Sequence, residues 1–99
     1  MLSVMKVAGR SMMPALPPGS FVLVFSPGKW TLDVNDVVVF RCPNRGKLVK
    51  RVLSVEPNKG YFLGGDNIAE SISAAEIGWV PRRQIIGKVI WHSVKSATA

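Results

Sequence analysis

Asp36-Val37-Val38-Val39-Phe40-Arg41-Cys42-Pro43-Asn44-Arg45-Gly46-Lys47-Leu48-Val49-Lys50-Arg51-Val52-Leu53-Ser54-Val55 holds two apolar, β-branched runs on either side of a short break. Valine, phenylalanine and leucine in such runs favour a pleated, half-buried chain. Pro43 fixes its φ, and Asn44 and Gly46 tolerate positive φ, so the break is a turn. The spacing predicts a hairpin with strands over 36–41 and 47–55. A second break, Pro57-Asn58-Lys59-Gly60, is read the same way and leads to a strand over 60–63. Residues 47–55 therefore gain a neighbour on each side and become a central strand.

Outward from this unit, strands are expected over 21–25 and 85–92. Pro17-Pro18-Gly19, Ser26-Pro27-Gly28 and Gly64-Gly65-Asp66-Asn67 supply further breaks. Helical signals are weak. One turn is expected at Met12-Met13-Pro14 and another at Pro81-Arg82-Arg83-Gln84, while 70–76 reads equally as helix or ordered loop. The predicted class is all-β: a small, partly open barrel or sandwich of short antiparallel strands. Phe21, Phe25, Trp30, Phe40, Phe62, Trp79 and Trp91 are expected to fill its core.

The 99 residues predict one domain, 1–99. With 47% hydrophobic residues, a packed interior outweighs disorder. Net charge is +7, from 13 basic and 6 acidic residues, which favours acidic partners. The cations are scattered and form no tract of the kind that grips nucleic acid. Cys42 is the single cysteine, so no internal disulfide is available, which fits a reducing, cytoplasmic location. No stretch approaches the roughly 20 apolar residues of a spanning helix, and residues 1–7 are too short and polar for a signal peptide. One Cys and one His are too few for the usual zinc ligand set, so neither metal nor cofactor is expected. Cys42 is read as a packed thiol and His92 as a surface residue.

Three segments carry candidate chemistry. Gly9-Arg10-Ser11-Met12-Met13-Pro14 mounts a serine on a tight bend, which exposes its oxygen; taken alone, a serine there is more often a turn residue. Leu48-Val49-Lys50-Arg51-Val52-Leu53 places two cations inside an apolar strand. A buried ammonium tends to shed its proton. Free lysine, with a pKa of about 10.4, is neutral in only about one molecule in 2,500 at pH 7, and a shift of roughly 3 units restores the neutral base. Arginine cannot follow, because guanidinium stays protonated. Strand alternation puts Lys50 and Arg51 on opposite faces, both apolar, so periodicity does not choose between them; proton chemistry selects Lys50. Alone, both cations also fit an edge strand with snorkelling stems. After the Gly-Asp-Asn turn, Ser71 is a candidate to orient the lysine amine.

Taken together, these segments resemble the type I signal peptidases, serine peptidases with a Ser-Lys dyad. The family boxes appear in order as Ser11-Met12-Met13-Pro14-Ala15-Leu16, Asn35-Asp36-Val37-Val38-Val39-Phe40, Lys50-Arg51-Val52 and Gly65-Asp66-Asn67 with Ser71. Gly78-Trp79-Val80-Pro81 and Ile85-Ile86-Gly87-Lys88-Val89 resemble its close, so the likeness runs from about Val7 to Trp91. The resemblance implies Ser11 as nucleophile, Lys50 as general base, Ser71 as the residue positioning the lysine, and the Ser11 backbone N–H as an oxyanion donor. It also implies an extended substrate paired to a strand edge, with small residues before the cut.

Some positions depart from the pattern. Ala15 stands where the family has threonine, and Gly9 where some members carry an oxyanion-donating serine. Ser73 and Ala75 replace an Asp and an Arg that brace the site, leaving Glu70 or Asp66 as candidate substitutes. Without an anchor or a second β domain, the chain is most similar to the short nickel-type superoxide dismutase maturation proteases. The expected partner is therefore a precursor protein, nickel superoxide dismutase being the candidate. Two alternatives compete: a LexA-like self-cleaving domain, for which only ten residues precede Ser11, and a small basic β-barrel that binds nucleic acid. The scattered charge and ordered boxes disfavour the second, and no nucleic-acid partner is expected.

Overall fold

The computed structural model describes residues 1–26, 32–43 and 45–93, with the side chain of Glu70 left aside. Among the described residues seven strands form one antiparallel sheet: β1 Leu2–Lys6, β2 Phe21–Phe25, β3 Val37–Cys42, β4 Gly46–Glu56, β5 Gly60–Gly64, β6 Trp79–Val80 and β7 Ile85–His92. Their order across the sheet is β1-β2-β7-β3-β4-β5-β6. The class is all-β and the sheet is open.

The hairpin read from the sequence is its centre. β3 pairs β4 from Val37↔Arg51 to Cys42↔Gly46, and β4 then pairs β5 from Arg51↔Gly64 to Glu56↔Gly60. Both runs are apolar on both faces because each face meets a core. Val38, Phe40, Cys42 and Val52 join Leu32, Tyr61, Leu63 and Val80 on one side. Val39 and Val49 join Val7, Met12, Leu16, Val22 and Val24 on the other. Cys42 is the packed thiol expected, and His92 is exposed.

Two strands go beyond the five expected. β1 was hidden because Leu2, Val4 and Lys6 face outward from an edge, giving no buried stripe to read. β6 is only two residues long. The 70–76 stretch resolves into a 3-10 turn at Ile68–Glu70 and a single helical turn at Ala74–Ile77, which Ser73 caps by accepting from the Glu76 amide at 3.1 Å. The turn expected at 81–84 forms as the 3-10 turn Arg82–Gln84, with Pro81 as the extended residue just before it rather than at its first position.

The aromatic expectation needs correction. Phe40 is fully buried, and Phe62 and Trp79 are half-buried with ring centroids 5.1 Å apart. Phe21, Phe25 and Trp91 are instead largely exposed. Alternation explains this: Val22 and Val24 point inward, so Phe21 and Phe25 must point outward, and Trp91 stands opposite Leu23 on that same outer face. Trp30, Pro27, Gly28 and Asn44 lie outside the described residues.

Ser20, just before β2, is fully buried, and its Oγ has no hydrogen-bond partner among the described residues. A buried, unsatisfied hydroxyl costs on the order of 1 kcal/mol or more. Ser20→Ala is expected to stabilise the fold by about 1 kcal/mol, read as a higher urea midpoint at unchanged slope. A lower midpoint would mean that the hydroxyl has a partner in solution.

Candidate active site

Ser11 sits in a turn that begins where β1 ends. Gly9 enters it at φ 77°, a conformation that favours glycine, and the turn is tied by Met13 N–H to Arg10 C=O at 3.1 Å and Leu16 N–H to Met12 C=O at 2.8 Å. Met12, fully buried, anchors the turn in the second core. Ser11 itself stays partly exposed, and its hydroxyl makes no hydrogen bond among the described residues. With glycine at position 9, that position has no side chain to offer an oxyanion.

Lys50 lies on β4 opposite Val38, on the same face as Leu48 and Val52. It is 2% exposed, the one buried cation among the described residues. Burial lowers its pKa from the 10.5 of free lysine, against a smaller upward pull from Cys42. Its Nζ donates to Ser71 Oγ at 2.7 Å, and Ser71 in turn donates to the Ile72 carbonyl at 3.2 Å. Ser71 has only one proton. With that proton directed to Ile72, Ser71 accepts from the lysine, and a neutral amine keeps its lone pair free for another proton.

The third segment closes the distance between these groups. The Asn67 N–H donates to the Ser11 carbonyl at 2.7 Å. At Gly65, the place a Cβ would occupy lies 2.2 Å from Ser71 Oγ and 2.6 Å from the Ser11 carbonyl oxygen. The Ser11 backbone, Gly65, Ser71 and the Lys50 amine are thus consecutive neighbours. Ser11 and Lys50 are not directly hydrogen-bonded: the hydroxyl–amine contact that the resemblance implies is replaced by the bond from Lys50 Nζ to Ser71 Oγ.

Asp66 does not reach Lys50, contrary to the substitute role considered for it. Its carboxylate accepts from Arg51 Nε and Nη2, both at 2.8 Å, while Arg51 Nη1 donates to the Asn35 carbonyl at 2.8 Å. This bidentate bond raises the arginine pKa further, against desolvation. Of two neighbouring cations on opposite faces, one is thus fixed as a charge and the other is pressed to lose it. Through Arg51, Asp66 fixes β4 to the turn after β5.

Beside Ser11 runs a cleft of about 90 Å³, lined by Met5, Lys6, Val7, Ala8, Ser11, Met12, Lys47, Leu48 and Val49. Its walls are two strand edges. β1 is the outermost strand of the sheet, and β4 pairs β5 only from Arg51 onward, so its 47–50 half has one edge without a strand partner among the described residues. The structure brings the Ser11 turn, Lys50 and Ser71 of the sequence reading together; these edges and the Gly65 and Asn67 contacts were not foreseen, because the Gly-Gly-Asp-Asn run signalled only a turn.

A family model described as signal peptidase, peptidase S26, matches residues 1–59. The chain belongs to the signal peptidase family. The match makes it, by family, a serine peptidase, and covers the Ser11 turn, the cleft walls and Lys50; Asp66 and Ser71 lie beyond the matched stretch. No curated protein matches the chain. Among the described residues of this signal peptidase relative, no helix is long and apolar enough to cross a membrane.

Proposed function

We propose that the chain is an endopeptidase with a Ser-Lys dyad that removes an N-terminal extension from a precursor protein. Ser11 attacks the scissile carbonyl while Lys50, as the neutral amine, takes its proton. Lys50 then returns that proton to the leaving amine, and water repeats the cycle on the acyl-enzyme. The Ser11 N–H supplies an oxyanion donor, and Ser71 holds the amine. The observation that carries this reading is Lys50: a lysine 2% exposed in an apolar strand, hydrogen-bonded to Ser71, beside the turn that bears Ser11.

The cleft supports an extended substrate laid between the free edges of β1 and β4. Its small volume suits short side chains before the cut. The nickel superoxide dismutase precursor is the candidate substrate, on the resemblance to the short maturation proteases. Incubated with that precursor, the chain is expected to make one cut, after a small residue, that releases the N-terminal extension. Mass spectrometry of both products checks it. The same cut made by Ser11→Ala would remove the nucleophile assignment, and an intact precursor beside a cleaved peptide panel would remove the substrate.

A further inference from the structure

The cleft beside Ser11 carries charge that nothing in the described fold neutralises. Lys6 and Lys47 both line it, from β1 and β4 respectively. Arg41 stands directly opposite Lys47 in the β3–β4 register, so two cations share one face at the end of the central hairpin. Like charges placed so are destabilising. Ion pairs reach other cations, Arg45, Arg51 and Lys88 among them, but among the described residues none reaches Lys6, Arg41 or Lys47. The Lys6 ammonium lies 6.0 Å from the Phe21 ring centre, a contact that leaves its charge unbalanced. All three side chains are exposed.

Resting on the reading of this cleft as the peptide groove, we propose that it selects precursors with acidic side chains, Asp or Glu, in the segment before the cut. Lys6 and Lys47 pair with those carboxylates from the two walls, and Arg41 reinforces Lys47. An acidic segment relieves the repulsion at the hairpin end and steers the precursor toward Ser11. The small cavity then sets the size of the residue at the cut, and the rim sets the charge of its neighbours.

The test uses two fluorescent peptides, identical except for two Glu or two Gln upstream of a small residue at the cut. At low salt the Glu peptide is expected to show about tenfold higher kcat/KM, as two or three exposed pairs of modest strength allow. High salt should bring the ratio toward one, and Lys47→Glu combined with Arg41→Glu should invert it. Anisotropy titration of both peptides onto Ser11→Ala reads the same preference without turnover. Equal rates and equal affinities, or a ratio indifferent to salt and charge reversal, would overturn the proposal while leaving the peptidase intact. If neither peptide is cut, the peptidase reading falls instead; tighter Glu-peptide binding would still support the acidic groove, and equal binding would end it.

Discussion

Lys50→Met is expected to abolish peptide cleavage and, at the same time, to raise the melting temperature. On the proposed mechanism the activity loss follows from removal of the base, and should reach about 10³-fold or more in kcat/KM. Lys50→Arg should be equally inactive, because its guanidinium holds a charge but cannot accept a proton at ordinary pH. The stability gain follows from the same burial that makes the lysine useful. An ammonium 2% exposed among Leu48, Val52 and Val38 costs free energy that a thioether of similar length does not. A gain of roughly 1–2 kcal/mol, or several degrees in a domain of this size, is expected from calorimetry.

The sign of the pH dependence separates this account from simple repacking. The folded-state pKa of Lys50 lies below the 10.5 of the unfolded chain. Between the two values the unfolded chain holds the proton and the folded chain does not, so wild-type stability rises with pH across that window. The destabilising term is complete below the folded pKa and gone above 10.5. The advantage of Lys50→Met must therefore shrink as pH rises through the window, while kcat/KM of the wild type climbs over the same range with an apparent pKa below 10.5. A stability gap unchanged by pH, or an activity profile that inflects at the value of free lysine, would show an amine that keeps its proton.

What the sequence disclosed and what it withheld follow from the range of the interactions involved. The central hairpin was legible because Val37, Val38, Val39 and Phe40 need apolar surroundings on both sides, and Pro43 and Gly46 mark the reversal between adjacent strands. β1 was not, because Leu2 and Val4 point away from either core, so their apolarity carries no burial signal. Phe21 and Phe25 misled for the same reason: size suggested an interior that alternation denied them. At the site, periodicity could not separate Lys50 from Arg51, and proton chemistry chose Lys50. The structure adds the physical difference: Arg51 is clamped by Asp66 and Lys50 by a neutral hydroxyl. The contact of Gly65 with Ser11, 54 positions away in sequence, has no local signature at all.

That contact makes Gly65→Ala the second large-effect test. A methyl group at this position would lie 2.2 Å from Ser71 Oγ, 2.8 Å from Ser71 Cβ and 2.6 Å from the Ser11 carbonyl oxygen. A serine hydroxyl can turn aside, but a backbone carbonyl in a turn pinned by buried Met12 cannot do so cheaply. Either the Ser11 turn moves outward and loses its bond from the Asn67 amide, or Ser71 rotates and releases the Lys50 amine. Both routes spread the Ser11 hydroxyl, the Lys50 amine and the Ser71 hydroxyl apart, and displacements near 1 Å cost about 10²-fold in positioned reactions. Gly65→Ala is accordingly expected to lower kcat about 10²-fold, with a smaller change in KM for a short peptide, since Ser11 is the one cleft-lining residue that the methyl group meets. It should also shift the activity profile toward alkaline pH, because a lysine freed from Ser71 and reached by water regains a higher pKa. Ser71→Gly in the Gly65→Ala background removes one of the two clashes. If the Ser71 clash is what displaces the amine, the Ser11 turn stays in place, and both the single and the double variant are expected to lack activity while still binding a boronate or other serine-directed inhibitor. Wild-type kcat in Gly65→Ala would show that the four groups do not meet at this glycine, and the proposed site would lose its geometry.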